Sequence, residues 1–358
     1  MTDLAAPVRY DPSVEDRQED ESKTVQQLDE QFDYILQTTA KDYGHAVRAV
    51  HAKPHGIIEG VLKVRDGLPP ELAQGLFANP GEHKVLMRIS TNPGDILDDS
   101  IGLPRGLAIK VHDVDGERLP GAAGRTQDFI LVNGAVFTAK TADKFLGNLK
   151  MLAKTTDVAE DGKKMLSTVL RGVSAALGAV GLESATVNQL GGAPNSHPLG
   201  QCYWSQTPFR YGDHIAKFQL VPVSPDLVAL KDAVVDASGR PDAIREDVRG
   251  SMRTANAVWE LRVQLNRDLE KMPVEDPTQE WKEEQSPFQT VATITAQPQD
   301  SWDEDRVDEV NEHLRFSIWT GLAAHQPLGN INRARNEPYQ RSADFRARVN
   351  GCPIHEPS

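Results

Sequence analysis

The chain has 358 residues, 39% of them hydrophobic, and a formal charge of −13 at pH 7. That supplies enough apolar material for a sizeable core within one domain. The acidic balance excludes nucleic acid or an anionic membrane as the main partner, because both select basic surfaces. No apolar run reaches the roughly eighteen residues of a transmembrane helix, and Met1–Pro7 lacks the basic-then-apolar pattern of a secretory signal. Cys202 and Cys352 lack CxxC spacing. This fits a reducing, cytoplasmic setting and excludes a cysteine-based zinc site, while leaving one disulfide open.

Residues 1–25 are polar and acidic and read as a solvated tail, followed by a first helix near Val25–Thr38. Strand patterns then recur at Ile57–Val64, Lys84–Ser90, Gly106–Val114 and Asp128–Asn133, with Asp115-Gly116 as a hairpin turn. Residues 142–196 form a helical insertion, in which Phe145, Leu146, Leu149 and Leu152 have helical spacing. Ala216, Phe218 and Leu220 alternate with polar neighbours, as do Trp259, Leu261, Val263 and Leu265, which is the period of a half-buried strand. Thr290–Thr295 is rich in β-branched residues, and a late helix is predicted from Asp303 to about Ala324, over residues 303–325 at most. Strands far apart in sequence with helices between them predict an α+β fold on an antiparallel β-barrel, one domain over residues 26–350. No GxGxxG follows a strand, so a doubly wound nucleotide fold is not expected.

Four segments carry a family resemblance. Arg48-Ala49-Val50-His51-Ala52-Lys53 is similar to the distal-histidine motif of the catalases, the haem enzymes that dismutate hydrogen peroxide. Met87-Arg88-Ile89-Ser90-Thr91 resembles their Arg-Phe-Ser-Thr strand, and Leu103-Pro104-Arg105-Gly106-Leu107-Ala108-Ile109-Lys110 their Asp-Pro-Arg-Gly-Phe-Ala-x-Lys run. Asp128-Phe129-Ile130-Leu131-Val132-Asn133 resembles the stretch that supplies the distal asparagine, which falls on Asn133 or on Val132. Tyr211-Gly212-Asp213-His214 is a weaker match. The resemblance implies a catalase-type barrel with haem as cofactor. His51 would be the acid–base catalyst, Ser90 its orienter and Asn133 a peroxide-positioning donor. Arg48 and Arg88 would anchor the propionates by charge-assisted hydrogen bonds. The expected partner is a small peroxide or hydroperoxide, hydrogen peroxide or an organic, even lipid, one. Read alone, His51 would be a satisfied core histidine; the flanking motifs reverse that balance. A zinc site from His45, His51 and His55 is not expected, since Pro54 breaks the helical spacing.

The resemblance breaks at the iron ligand. Catalases use a tyrosinate on a late helix, and the matching segment here, Leu314-Arg315-Phe316-Ser317-Ile318-Trp319, places Ile318 or Thr320 at that position. Tyr339 lies well past the motif. The readings left open are His325 as a replacement ligand, haem held without a protein ligand, and a haem-free barrel that binds an apolar ligand without peroxide chemistry.

Overall fold

A computed structural model describes residues 4–153 and 193–357. Among the described residues nine antiparallel strands follow one another: β1 (Pro54–Val64), β2 (Glu82–Thr91), β3 (Arg105–Val111), β4 (Gln127–Val132), β5 (Tyr203–Trp204), β6 (Phe209–Tyr211), β7 (His214–Pro222), β8 (Ala257–Leu265) and β9 (Gln289–Ala296). Their order in the sheet is β5-β4-β3-β2-β1-β9-β8-β7-β6. A second pairing, Tyr203↔Leu220 and Trp204↔Gln219, joins β5 to β7 and closes eight strands into a barrel, with β6 as a flap on β7. Closure removes the exposed strand edges that an open sheet would present.

The alternation read in β8 is the alternation observed. Trp259, Leu261, Val263 and Leu265 are buried in the main core, and Phe218 and Leu220 of β7 join them. Phe77, Phe129, Tyr211 and Phe218 fill the interior as an aromatic cluster; the Phe129 and Phe218 rings meet edge to face at 4.8 Å. The outward residues Lys217 and Gln264 are buried as well, because the 272–286 segment covers them: Gln264 donates to the carbonyls of Trp281 and Ser286.

Helices pack outside the barrel: α1 (Glu21–Tyr43), α2 (Ala142–Ala153), α3 (Pro225–Val228), α4 (Ala243–Met252), α5 (Glu304–His313), α6 (Asn330–Ala334) and α7 (Asn336–Asn350). α1 ends on Gly44 at φ +65, a left-handed cap that costs glycine little. It buries Leu28, Phe32, Ile35 and Leu36 against Leu146 and Leu149 of α2 and Ile331 of α6, each worth about 1.5–3 kcal/mol of transfer energy. α5 packs Val307, Val310 and the following Leu314 against Ile57 and Leu86 on the outer barrel wall.

Three expectations are corrected. Residues 8–14 are docked rather than solvated: Val8 N–H donates to Asn266, Tyr10 N–H to Asp213, and both side chains pack beside Ile215 and Trp281. The late helix stops at His313, where Leu314 turns extended, because Arg48 and Arg346 occupy the terminal carbonyls that a further turn would need. β3 ends at Val111, and Asp115-Gly116 lies in a 112–126 excursion rather than a tight hairpin. The two cysteines are free. Most of the expected helical insertion, residues 154–192, lies outside the described residues.

Candidate functional site

His51 stands just ahead of β1. Its φ of +56 falls in the left-handed region that non-glycine residues enter uncommonly, at a cost of about 1–3 kcal/mol. Hydrogen bonds hold it there. Its N–H donates to Asn92 (2.7 Å), and its carbonyl accepts from Arg88 Nη1 (2.9 Å), while Arg88 Nη2 reaches the Ala52 carbonyl (3.2 Å). Alternation along β2 sends Met87 and Ile89 into the core and leaves Arg88 and Ser90 on the outer wall with His51. Ser90 Oγ lies 3.2 Å from His51 Nδ1. The imidazole lies against Gly106 of β3, where an added Cβ would sit 2.3 Å from Cε1 and 2.5 Å from Nδ1. Burial, and then Arg88, Arg335 and Arg48, lower the His51 pKa to about 3, so the ring is neutral at ordinary pH.

Arg48, Arg88 and Arg346 converge beside this histidine on the C-terminal turn of α5. Arg48 donates to Asn311 Oδ1 (3.1 Å) and to the carbonyls of Asn311 (3.3 Å), Val310 (2.9 Å) and Leu314 (3.0 Å). Arg88 Nε donates to Asn311 Oδ1 (3.2 Å), and Arg346 to the carbonyls of Asn311 and Leu314. Among the described residues none of the three has a carboxylate within ion-pair distance. The partial negative charge of a helix terminus and, beyond ion-pair distance, the Glu312 carboxylate near Arg48 and Arg346 compensate them. Burial and the neighbouring arginines push Arg48 well down, and the same causes bring Arg88 to about 9; burial brings Arg346 to about 10. All three keep their protons at neutral pH, as guanidiniums do. This is a concentration of buried positive charge that calls for an anion.

α7 supplies the facing wall. Tyr339, Ser342, Ala343 and Arg346 recur at i, i+3, i+4 and i+7 and so share one face. The Tyr339 hydroxyl accepts from Arg335 Nη2 at 2.8 Å, and Ser342 Oγ accepts from the Ala49 N–H at 3.2 Å, tying α7 to the His51 segment. Pro338 is tolerated because it sits in the first turn, where its missing N–H has no helical acceptor to lose.

Two cavities meet here. A small one of about 60 Å³ is lined by Arg48, His51, Arg88, Ser90, Gly106, Tyr339 and Arg346. A large one of about 1060 Å³ shares Phe32, Val50, His51, Ile130 and Tyr339 with it and is lined further by Asn133 and Arg335. That volume is at the upper end for small-molecule and cofactor sites. His51, Ser90, Arg48, Arg88 and Asn133 are thus brought together. The Asn133 side chain accepts from Arg105 N–H (2.7 Å) and donates to Gln201 (3.0 Å), which leaves one amide hydrogen uncommitted.

His325 lies elsewhere. It is fully buried in the aromatic cluster inside the barrel, 5.6 Å from the Phe77 and Tyr211 ring centres, and its Nε2 accepts from Leu76 N–H. It lines neither cavity. Ile318 is likewise in the main core, and Thr320 is spent on the turn beside β4. The tyrosine that shares the small cavity with the arginine triad is Tyr339, which an alignment anchored on Phe316-Ser317 passes over. The signal present in the sequence was the Arg335-x-x-x-Tyr339 spacing with Ser342 and Arg346 on the same helical face.

Neither a family model nor a curated protein matches the sequence. Solved structures do. Catalase A from Saccharomyces cerevisiae superposes with a TM-score of 0.60 at 18% identity, over 87% of this chain and 63% of the other. A fungal catalase gives 0.60 and 18%, over 87% of this chain and 62% of its own. The chain has a catalase-like fold. A bacterial catalase agrees, at a TM-score of 0.57 and 16% identity, over 90% and 62% of the two chains. The chain therefore spans less than two thirds of these catalases. No helix among the described residues is long and apolar enough to cross a membrane.

Proposed function

We propose that this chain holds haem between His51 and Tyr339 and uses it on hydrogen peroxide or an organic hydroperoxide. The observation that carries the reading is a cavity lined by both His51 and Tyr339, the latter bonded to Arg335, beside three guanidiniums with no carboxylate within ion-pair distance among the described residues. Those donors fit the group. A tyrosine oxygen is a known protein ligand of haem iron, and Arg335 holds this one in place. Arg48, Arg88 and Arg346 offer the kind of cationic forks that carboxylates bind. An apolar ligand would leave those charges unanswered, which speaks against the haem-free alternative.

Bound haem would supply the redox chemistry of peroxide cleavage. The chain's own contribution is proton handling. In the neutral tautomer that donates Nδ1–H to Ser90 Oγ, the form this reading assigns to His51, Nε2 is the free base. It takes a proton from one peroxide oxygen and returns it to the departing one. The remaining amide hydrogen of Asn133 orients the peroxide from the large cavity. Hydroperoxide consumption by protein produced with haem supplied tests the assignment. His51→Ala should abolish turnover while haem stays bound, and Tyr339→Phe should lower both. Unchanged turnover in His51→Ala would remove the histidine from the reaction.

A further inference from the structure

We propose that Asn311 is a positioning residue that keeps the arginine triad oriented and its charge available to an anionic ligand. The inference rests on reading the cavity as a site for a dicarboxylate macrocycle. Each arginine touches this one residue: Oδ1 accepts from Arg48 (3.1 Å) and Arg88 (3.2 Å), and its carbonyl from Arg48 and Arg346. An amide oxygen has two lone pairs, so Oδ1 is fully used by the pair. Every other acceptor of the triad is a backbone carbonyl.

Buried Arg105 and Lys217 also bond neutral acceptors, but singly; the triad sets three guanidiniums together on such a set. Nearby, Lys110 is buried and Arg315 half-buried, and both receive carboxylates. Lys110 pairs with Asp128 (2.8 Å) and Glu356 (2.7 Å), and Arg315 with Glu356 (2.9 Å). Buried cations are ordinarily compensated in this way, because an unpaired charge is costly. At the triad an amide occupies the point where a carboxylate would bridge Arg48 and Arg88. Asn311 thus fixes the directions of the guanidiniums without consuming their charge. It also acts on the catalytic side, since the Arg88 that it holds by Nε clamps the left-handed backbone of His51 with its other two nitrogens.

Asn311→Asp separates the roles, since it keeps the shape and supplies the carboxylate. A merely structural asparagine predicts a protein of equal or greater stability with unchanged ligand affinity. A positioning residue for an anion site predicts equal or greater stability with weakened affinity. The assay is fluorescence titration of the full chain, without haem, using metal-free protoporphyrin and its dimethyl ester, together with thermal unfolding. Asn311→Asp should unfold no lower than wild type and bind the diacid weaker by on the order of tenfold, while its affinity for the ester is unchanged. Asn311→Ala, which removes the acceptor without adding charge, should weaken the diacid by about threefold and provides the test if the aspartate variant does not fold. Wild-type affinity for the diacid in the variant that folds, or equal losses for diacid and ester, overturns the inference. Wild-type protein that binds neither porphyrin overturns the haem reading and this inference with it.

Discussion

Gly106→Ala is a small change with a calculable effect on the site. The new methyl carbon would lie 2.3 Å from His51 Cε1 and 2.5 Å from Nδ1, against a carbon–carbon separation of about 3.5–4.0 Å at the van der Waals minimum. The ring must therefore retreat by about 1 Å or more. The backbone cannot follow, because Asn92 and Arg88 fix it on both sides at a φ of +56. The movement falls on the side chain, and the 3.2 Å contact from Nδ1 to Ser90 Oγ is lost. Overpacking of this kind costs about 1–3 kcal/mol of stability, while a 1 Å misplacement of a catalytic group costs about 10²-fold in rate. Haem-loaded Gly106→Ala should accordingly keep its absorption spectrum and unfold somewhat earlier, with hydroperoxide turnover reduced about 10²-fold. Turnover within twofold of wild type would refute the placement of the imidazole on Gly106 as a determinant of rate.

Ser90→Ala should retain haem and lose about 10–100-fold in turnover, the usual effect of removing a group that orients a functional histidine; steady-state kinetics decide it, and wild-type rates would count against Ser90. His325 makes a prediction about pH. Burial lowers its pKa to about 4, below the ordinary 6.5, so the unfolded chain takes up the proton first as pH falls. Its contribution to stability is complete above pH 6.5 and is lost as pH drops toward 4. Between pH 7 and 5 the wild type should lose about 2 kcal/mol more than His325→Leu in urea unfolding, and parallel losses would contradict this. Trp259→Ala, which empties a fully buried site in the main core, should cost about 3–5 kcal/mol, with a correspondingly lower urea midpoint.

The sequence made one side of the site legible because its signals are local. His51, Arg88 and Ser90 lie in short strand-like motifs, and period-two alternation alone puts Arg88 and Ser90 on one wall. The facing side depends on contacts far apart in the chain. α5 ends at His313 because guanidiniums from Arg48 and Arg346 take its last carbonyls, and no helix-stop residue in 311–317 announces that. With the helix drawn too long, Arg315-Phe316-Ser317 appears to be the ligand-bearing turn, although in the fold Arg315 and Phe316 line the small cavity and Ser317 bonds Asp128. Tyr339 was readable only through the helical face it shares with Ser342 and Arg346, in a segment opened by Pro338. His325 drew notice as a histidine near the expected ligand position, yet it is consumed by the aromatic interior.

The absorption spectrum of protein produced with haem supplied, compared with that of Tyr339→Phe, tests the central claim most directly. The account predicts a strong Soret band in the wild type that is lost or displaced in Tyr339→Phe and persists in His51→Ala. A wild type without the band, or a Tyr339→Phe spectrum identical to it, would contradict the placement of haem between these two residues.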